Sequence, residues 1–304
     1  MNAKELLSII AMQGFNGLSN FCVLLLMALG LAIIFGQMGV INMAHGEFLT
    51  IGAYTTYVLS EISQRWAPWL QKTYFILAMV VAFVVAAAVG WVVERFMVSK
   101  LYKRPLDTLL ATWGLSLIMQ QIFRSTFGAK EVSAVLPEWL MGSLKPADAI
   151  DIPINGLMVM VVTAVLTTVL FILLFRTRWG VWIRATTQNR LMAGASGINT
   201  RKIDSLAFAT GCGLAGIAGA AFTTIGSTGP TSGSLYIVDT FLVVVFGGAQ
   251  SLIGTIASAF GIAQTQAVTE FFLTGSTAKV LTLMAIVIIL MIRPQGLFAV
   301  RVRR

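Results

Sequence analysis

The segment that decides the fold is Phe35–Tyr57, FGQMGVINMAHGEFLTIGAYTTY. It has the length and the apolar content of a membrane-spanning helix, yet it carries Glu47 and the only histidine of the chain, His45. A charged side chain near the centre of a bilayer costs about 2.5–3.5 kcal/mol on insertion scales, so it normally faces the interior of a helix bundle or a pathway. The segment therefore predicts a membrane helix with a function beyond anchoring.

One side of this predicted helix is polar. Four polar residues follow Glu47 at offsets of three, seven, ten and fourteen: Thr50, Tyr54, Tyr57 and Glu61. These offsets place all of them on one face of a helix, opposite an apolar face. We predict that Glu47, Thr50 and Tyr54 line a route through the membrane.

The composition agrees with a membrane protein. Of the 304 residues, 57% are hydrophobic and only 11% are charged, which excludes an ordinary soluble domain. The net charge of +9 comes from basic residues that lie between apolar stretches, so it indicates membrane topology and not a nucleic-acid partner. Cys22 and Cys212 both lie in apolar segments and predict no disulfide framework.

The chain predicts an all-α polytopic membrane protein, with about eight to ten transmembrane helices in one bundle over residues 1–304. The apolar stretches are Phe15–Gly36, Val40–Ser60, Tyr74–Val98, Asp107–Gly128, Pro153–Phe175, Ser205–Gly226, Ile237–Phe272 and Ala278–Ile292. Within Ile237–Phe272, Gly247 and Gly248 break the pattern, so this stretch is either two spans or a re-entrant hairpin. Two spans would give nine crossings.

Basic residues predict the orientation. They are dense in three stretches: residues 95–104, residues 176–202 and the C-terminal tail. The positive-inside rule places these in the cytoplasm, so 176–204 is a cytoplasmic loop and the C-terminus is cytoplasmic. Residues 128–152, where acidic residues outnumber basic ones, form an external loop, and the N-terminus is external.

A weak internal similarity raises a further hypothesis. A Phe-Gly pair occurs at Phe35–Gly36 and again at Phe246–Gly247. Glycine-interrupted segments at comparable places in two halves can mark a substrate site built on an inverted repeat. With only this pair shared, chance coincidence is an equal alternative.

Several kinds of chemistry are not supported by the sequence. It lacks a G-x-x-x-x-G-K-[ST] phosphate loop and contains no Gly-Lys dipeptide, so this chain is not expected to hydrolyse ATP by that route. With one histidine, we predict neither a metal site nor a serine hydrolase, and no bound cofactor. His45 and Glu47 point roughly 200° apart on a helix and are poor joint ligands.

Other polar residues within the spans could join the route. We include Gln120, which follows Thr112 and Ser116 at intervals of four, together with Ser258, Gln266 and His45. Each of these could instead bond to the backbone or serve the structure, which is the common fate of a polar residue in a membrane helix. Glu47 itself could line the pathway or form an ion pair or hydrogen bond with a neighbouring helix.

The cytoplasmic stretch Arg176–Asp204 is long, basic and contains a run compatible with a helix, Ile183–Ala195, which Gly197 would end. A short helix there could dock a soluble partner. The loop could equally serve only to fix orientation or to touch anionic lipid.

Taken together, five motifs resemble the permease subunits of branched-chain amino acid ABC importers, and most closely the urea-type permease of that family. They are GVINMAHGEFLTIGAY, ERFMVSKLYKRPLDTLLATWGLSLIMQ, WGVWIRATTQNRLMAGASGINTRKIDSLAFATGCGLAGIAGA, FGGAQSLIGT and the ending RPQGLF. The resemblance implies a multi-pass permease of the bacterial inner membrane that moves urea or a related small amide by alternating access. It also implies a second, homologous permease, two cytoplasmic ATPase subunits that use the ATP, and an external binding protein.

By resemblance, Ala193-x-x-x-Gly197 corresponds to the Ala-x-x-x-Gly core of the coupling loop of ABC importers. The usual glutamate before that core is absent here. The resemblance makes Arg184, Asn189, Ala193 and Gly197 the expected contacts with the ATPase. Two alternatives stay open: a branched-chain amino acid permease of the same family, and a passive urea channel.

Overall fold

A computed structural model describes residues 3–102, 104–147, 150–248, 251–293 and 296. The helices are α1 (Ala3–Met38), α2 (His45–Arg65), α3 (Tyr74–Val93), α4 (Ser99–Leu101), α5 (Pro105–Phe127), α6 (Ile154–Arg176), α7 (Arg178–Gln188), α8 (Arg190–Ala195), α9 (Thr200–Phe222), α10 (Ser232–Gly247), α11 (Leu252–Phe272) and α12 (Gly275–Ile292). A π-helical turn, Glu94–Val98, joins α3 to α4.

Two strands occur among the described residues, in and just after the segment predicted to be an external loop. Strand β1 (Ser143–Ala147) pairs antiparallel with β2 (Ile150–Pro153) in a two-stranded hairpin. The prediction of an all-α protein omitted this hairpin. It lies between α5 and α6, so the bundle itself is helical as predicted.

Among the described residues, five helical stretches are long and apolar enough to cross a membrane: Ile10–Met38, Tyr74–Leu101, Ile154–Arg176, Thr200–Phe222 and Gly275–Ile292. The helices α2, α5 and α11 are as long as several of these but more polar. The total of eight to ten crossings and the cytoplasmic C-terminus stay predictions. Most of the RPQGLF ending and the last arginines lie outside the described residues.

Helix α2 begins later than the apolar pattern predicted, at His45 and not at Val40. Local polar groups satisfy the non-helical backbone before it: the Ala44 amide donates to the Asn42 side chain at 3.1 Å, and the Met43 amide donates to Thr112 Oγ1 at 3.1 Å. His45 Nε2 lies 3.1 Å from the carbonyl oxygen of Met27. Helix α2 therefore starts beside the middle of the long helix α1.

Helix α10 begins next to the start of α2, and a pair of glycines makes this possible. A Cβ on Gly46 would lie 2.7 Å from the carbonyl carbon of Gly233, and a Cβ on Gly233 would lie 2.5 Å from that of Gly46. The Gly233 amide donates to Thr50 Oγ1 at 3.0 Å, while Gly46 also faces Ile237. The two helices thus meet at their first turns and run in opposite directions.

Helices α1 and α9 cross in the same reciprocal manner. The two backbones approach so closely at Gly30 and Gly211 that a Cβ on either glycine would overlap the carbonyl oxygen of the other. Gln37 of α1 bonds Asp204 of α9 at 3.3 Å, which makes the pair antiparallel. Helix α3 packs along α9 while α11 packs along α1, which is the reciprocal pattern expected if α1–α3 and α9–α11 form an inverted repeat.

This repeat differs from the one that the Phe-Gly pairs suggested. Phe35–Gly36 lies within the uninterrupted helix α1, whereas Gly247 ends α10 and Gly248 has φ +91°. The two pairs do not correspond, so that basis for the repeat is wrong. The ambiguous stretch Ile237–Phe272 contains two helices; α10, with 16 residues, is about 24 Å long and short for a complete span.

Candidate functional site

Glu47 is the centre of a buried polar cluster between α2 and α5. Its side chain is 1% exposed, and its Oε1 accepts hydrogen bonds from Ser116 Oγ at 2.9 Å and Gln120 Nε2 at 2.8 Å. Gln120 also donates to Ser116 Oγ at 3.1 Å. The α2–α5 polar cluster consists of Glu47, Ser116 and Gln120, together with Tyr54, which lies about two turns further along the same face of α2.

The cluster keeps unused hydrogen-bonding capacity. Within the part of the chain that the structure describes, Glu47 Oε2 and the Tyr54 hydroxyl are buried and have no hydrogen-bond partner. No lysine or arginine among these residues pairs with Glu47. The Tyr54 ring stacks on Phe127 at 4.1 Å and lies 5.4 Å from Phe123, so aromatic groups flank the free hydroxyl.

Four of the residues with unpaired atoms lie in the first half of α2 or just before it. Of six buried side-chain nitrogen and oxygen atoms that lack a partner among the described residues, four belong to Asn42, His45, Glu47 and Tyr54. Buried polar atoms are normally paired, so each exception needs an explanation. His45 faces α1, whereas Glu47 and Tyr54 share the face of α2 that packs against α5, so these two offer unpaired groups on one face.

The chemistry of the cluster is that of binding. No group of three or more histidine, cysteine, aspartate or glutamate side chains in the described ranges could hold a metal ion. A free carboxylate oxygen can accept a hydrogen bond or pair with a positive charge, and a free hydroxyl can donate or accept a hydrogen bond. These interactions are stronger in a buried, weakly polar setting than in water.

The structure brings together only part of the predicted pathway. Glu47, Tyr54 and Gln120 share the cluster, and Thr50 lies beside it, bonded to the Gly233 amide. The other predicted residues are elsewhere: His45 bonds α1, Ser258 Oγ donates to the Val243 carbonyl at 2.7 Å, and Gln266 bonds Glu270 at 3.2 Å. Ser116 was noted only through its spacing from Gln120, and that spacing was the useful signal.

A second polar region was not predicted. A cavity of roughly 400 Å³ opens where the first half of α1 meets the start of α6 and the end of α11. Its lining includes Gln13, Asn16, Asn155 and Glu270. Asn155 Nδ2 is already bonded to the Thr224 carbonyl at 2.6 Å, so part of this polarity holds the helices in place.

The predicted cytoplasmic helix is divided in two. The sequence predicted one helix over Ile183–Ala195, but α7 ends at Gln188 and α8 begins at Arg190. Asn189 has an extended backbone, and its Oδ1 accepts a hydrogen bond from the Met192 amide at 3.0 Å, which caps α8. Gly197 has φ +82° and follows the end of α8, as its predicted role as a terminator requires.

The residues expected to contact an ATPase are not equally accessible. Arg184 donates to the Leu174 carbonyl and lies over the Phe175 ring, 5.6 Å from its centroid, so it ties α7 to α6. Ala193 is 5% exposed and packs inward. On α8, the sequence analysis missed two exposed apolar residues, Leu191 at 86% and Met192 at 66%. The helical period places Leu191 roughly opposite Ala193 and Met192 about 100° from it.

Comparison with known proteins gives a consistent family. Residues 14–292 match the family model described as "Branched-chain amino acid transport system / permease component". The chain is similar to LivH, the high-affinity branched-chain amino acid transport system permease protein of Salmonella typhimurium and Escherichia coli, with 26% identity in each case over 94% of both chains. It is 24% identical to BraD of Pseudomonas aeruginosa over 93% of both chains. No solved structure matches the chain.

Proposed function

The chain belongs to the family of permease components of branched-chain amino acid transport systems, and we propose that it forms the membrane pathway of an ATP-driven importer of branched-chain amino acids. Membership of this family and the apolar helices make it a multi-pass protein of the inner membrane. The relatives carry names of branched-chain amino acid permeases, so the comparisons do not support the urea specificity that the sequence motifs suggested.

The observations that carry the proposal are the unpaired Oε2 of the buried Glu47 and the unpaired hydroxyl of Tyr54, which lie on the same face of α2. A branched-chain amino acid brings an ammonium group, a carboxylate and an apolar side chain. Glu47 would accept from the ammonium group, Tyr54 would donate to the carboxylate, and Phe123 and Phe127 would lie beside the apolar part. Urea has neither the charge nor the apolar group that this arrangement complements.

Energy coupling is assigned to partners. We expect two cytoplasmic ATPase subunits to dock on α7 and α8, where Leu191 and Met192 expose apolar surface. A homologous second permease would complete the pathway, and an external binding protein would deliver the amino acid. ATP-driven movement of the docked helices would then open the pathway alternately to the outside and to the cytoplasm, as alternating access requires.

The proposal is tested by uptake. Labelled leucine and labelled urea are added to cells with and without this chain, before and after ATP depletion. We expect leucine to accumulate above its external concentration only with both the chain and ATP. Accumulation of urea instead would refute the substrate assignment, and equilibration that survives ATP depletion would mean a channel.

Glu47 is tested by Glu47→Gln. Glutamine keeps an oxygen that can accept from Ser116 and Gln120 but loses the negative charge. A hydrogen bond to a charged group contributes about 1.5–3 kcal/mol, so leucine uptake should fall about tenfold to a hundredfold while the amount of folded protein is unchanged. The control is Glu61→Gln on the same helix, where the carboxylate forms a surface pair with Arg65 at 2.8 Å. Equal uptake by both variants would exclude Glu47 from the binding site.

A further inference from the structure

Arg190, the first residue of α8, connects the cytoplasmic helices to the bundle. Its guanidinium forms an ion pair with Asp204, the fifth residue of α9. It also lies over the Tyr102 ring, 5.4 Å from the centroid. The Arg190 side chain is 45% exposed while that of Asp204 is fully buried, so the pair reaches from the surface of α8 into the protein.

Tyr102 continues the connection to a second buried carboxylate. Its hydroxyl donates to one oxygen of Glu94, and Ser205 Oγ donates to the other. Glu94 is 0% exposed and pairs with no lysine or arginine in the part of the chain that the structure describes. Burial, together with the hydrogen bond to Glu94, raises the pKa of the Tyr102 hydroxyl above its usual range and keeps it a donor.

Glu94 lies in the π-helical turn that ends α3. Such turns close hydrogen bonds one residue further along the chain than an α-helix does, and they are frequent at functional sites. Gln37, at the end of α1, donates to Asp204 Oδ1 at 3.3 Å. The cytoplasmic polar network, defined as Arg190, Asp204, Tyr102 and Glu94, thus joins α8 to α9, to α1 and to the π-helical turn.

Resting on the proposed function, we infer that Arg190 is the positioning residue through which movement of α8 reaches the bundle, by way of Asp204 and of Tyr102 with Glu94. Helix α9 carries the movement further, because its glycines contact α1, α2 and α3. A Cβ on Gly216 would lie 2.6 Å from the Ala82 carbonyl oxygen, and a Cβ on Gly52 would lie 2.6 Å from the Gly216 carbonyl carbon. With this packing α9 cannot shift without displacing α2, which carries Glu47.

The decisive experiment separates transmission from simple stabilisation. Arg190→Ala leaves the buried Asp204 without its cation, so it can lower the amount of folded protein for electrostatic reasons alone. Arg190→Ala with Asp204→Asn removes both charges and should restore that amount. If the ion pair between Arg190 and Asp204 had only a structural role, the double variant would then regain leucine uptake as well. We expect uptake by the double variant to stay at least tenfold below wild type, while the ATPase subunits remain bound and still hydrolyse ATP.

A second variant is Tyr102→Phe, which keeps the ring under Arg190 but removes the donor to Glu94. We expect it to lower leucine uptake per ATP hydrolysed without loss of protein. The control is Arg201→Ala, which removes an exposed arginine of α9 that makes no ion pair among the described residues and should transport normally. Like Arg190→Ala, this control removes one positive charge.

Each outcome has one meaning. Wild-type uptake by the double variant, normal coupling in Tyr102→Phe, or loss of the ATPase subunits from the double variant would overturn the inference and leave the proposed function standing. A wild-type complex that shows no ATP-dependent uptake of leucine would refute the proposed function itself, and the inference with it.

Discussion

Replacement of Gly52 by alanine adds one methyl group inside the bundle. We expect this to lower the stability of the protein more than the same addition at its surface does. A Cβ on Gly52 would lie 2.6 Å from the carbonyl carbon and 2.7 Å from the Cα of Gly216, and it would overlap the carbonyl oxygen of Gly216. These are backbone atoms, so no side chain can rotate away. Ordinary contact begins at 3.4 Å, so α2 and α9 must separate by at least about 0.8 Å, the difference between 2.6 and 3.4 Å.

The energetic cost follows from this separation. A gap of 0.5–1 Å removes roughly a quarter to a half of the dispersion energy of the atoms that face it, and overpacking of a buried site costs about 1–3 kcal/mol. Because both faces are backbone and the interface runs along α2, we expect Gly52→Ala to lose about 3 kcal/mol of stability. That is a large fraction of the roughly 5–15 kcal/mol typical of folded proteins.

The assay is thermal unfolding of the purified chain in detergent, followed by size-exclusion chromatography of the fraction that stays monodisperse. The matched control is Gly114→Ala in α5, where a Cβ would meet nothing within 4 Å. Alanine favours a helix over glycine by about 1 kcal/mol, so the control should unfold at or above the wild-type temperature. A Gly52→Ala variant as stable as wild type would contradict the close packing of α2 and α9.

Two further predictions concern the segment that contains α8 and its end. Gly197→Ala places a side chain at φ +82° and should lower the local stability by about 1–2 kcal/mol, measured as faster trypsin cleavage after Arg201. The control Gly194→Ala has open space for the added Cβ and no positive φ, so it should be cleaved at the wild-type rate. Asn189→Ala removes the cap of α8 and should cost about 1 kcal/mol, seen as faster hydrogen exchange of the Met192 amide; unchanged exchange would mean that the cap contributes nothing.

The arrangement of α2 and α10 explains why the site lies where it does. The two helices start beside each other at Gly46 and Gly233, and the non-helical approach to α2 places polar groups there. Irregular backbone at membrane depth is tolerated only where protein or a cavity covers it. The free polar atoms of Asn42 and Glu47 lie next to this irregular region, which links the inverted repeat to the candidate site.

Local patterns made part of this site predictable. The offsets from Glu47 to Thr50 and Tyr54 identified the polar face of α2 because the helical period acts within a few residues. The spacing of Ser116 and Gln120 identified the matching face of α5 for the same reason. Pairing these two faces was not predictable, because the bond between Glu47 and Gln120 joins residues 73 positions apart.

Other features misled the sequence analysis for physical reasons. The apolar run from Val40 suggested a helix from its first residue, but hydropathy does not record that Asn42 and Thr112 can satisfy the backbone there. Glu94 lies next to the basic stretch 95–104 and gave no sign of complete burial. Ser258 matched the expected composition of a pathway, yet its hydroxyl is used to join α11 to α10.

What the sequence by itself determined is the class of protein, the position of its apolar helices and the family, because each depends on composition, on short-range periodicity or on motifs. Only the tertiary structure decided which helices meet. Gly30 with Gly211 and Gly46 with Gly233 allow backbone contact across about 180 residues of chain, and a glycine alone does not indicate its partner. Likewise, only the folded bundle shows that Glu47 keeps one oxygen free and that Arg190 connects α8 to two buried carboxylates.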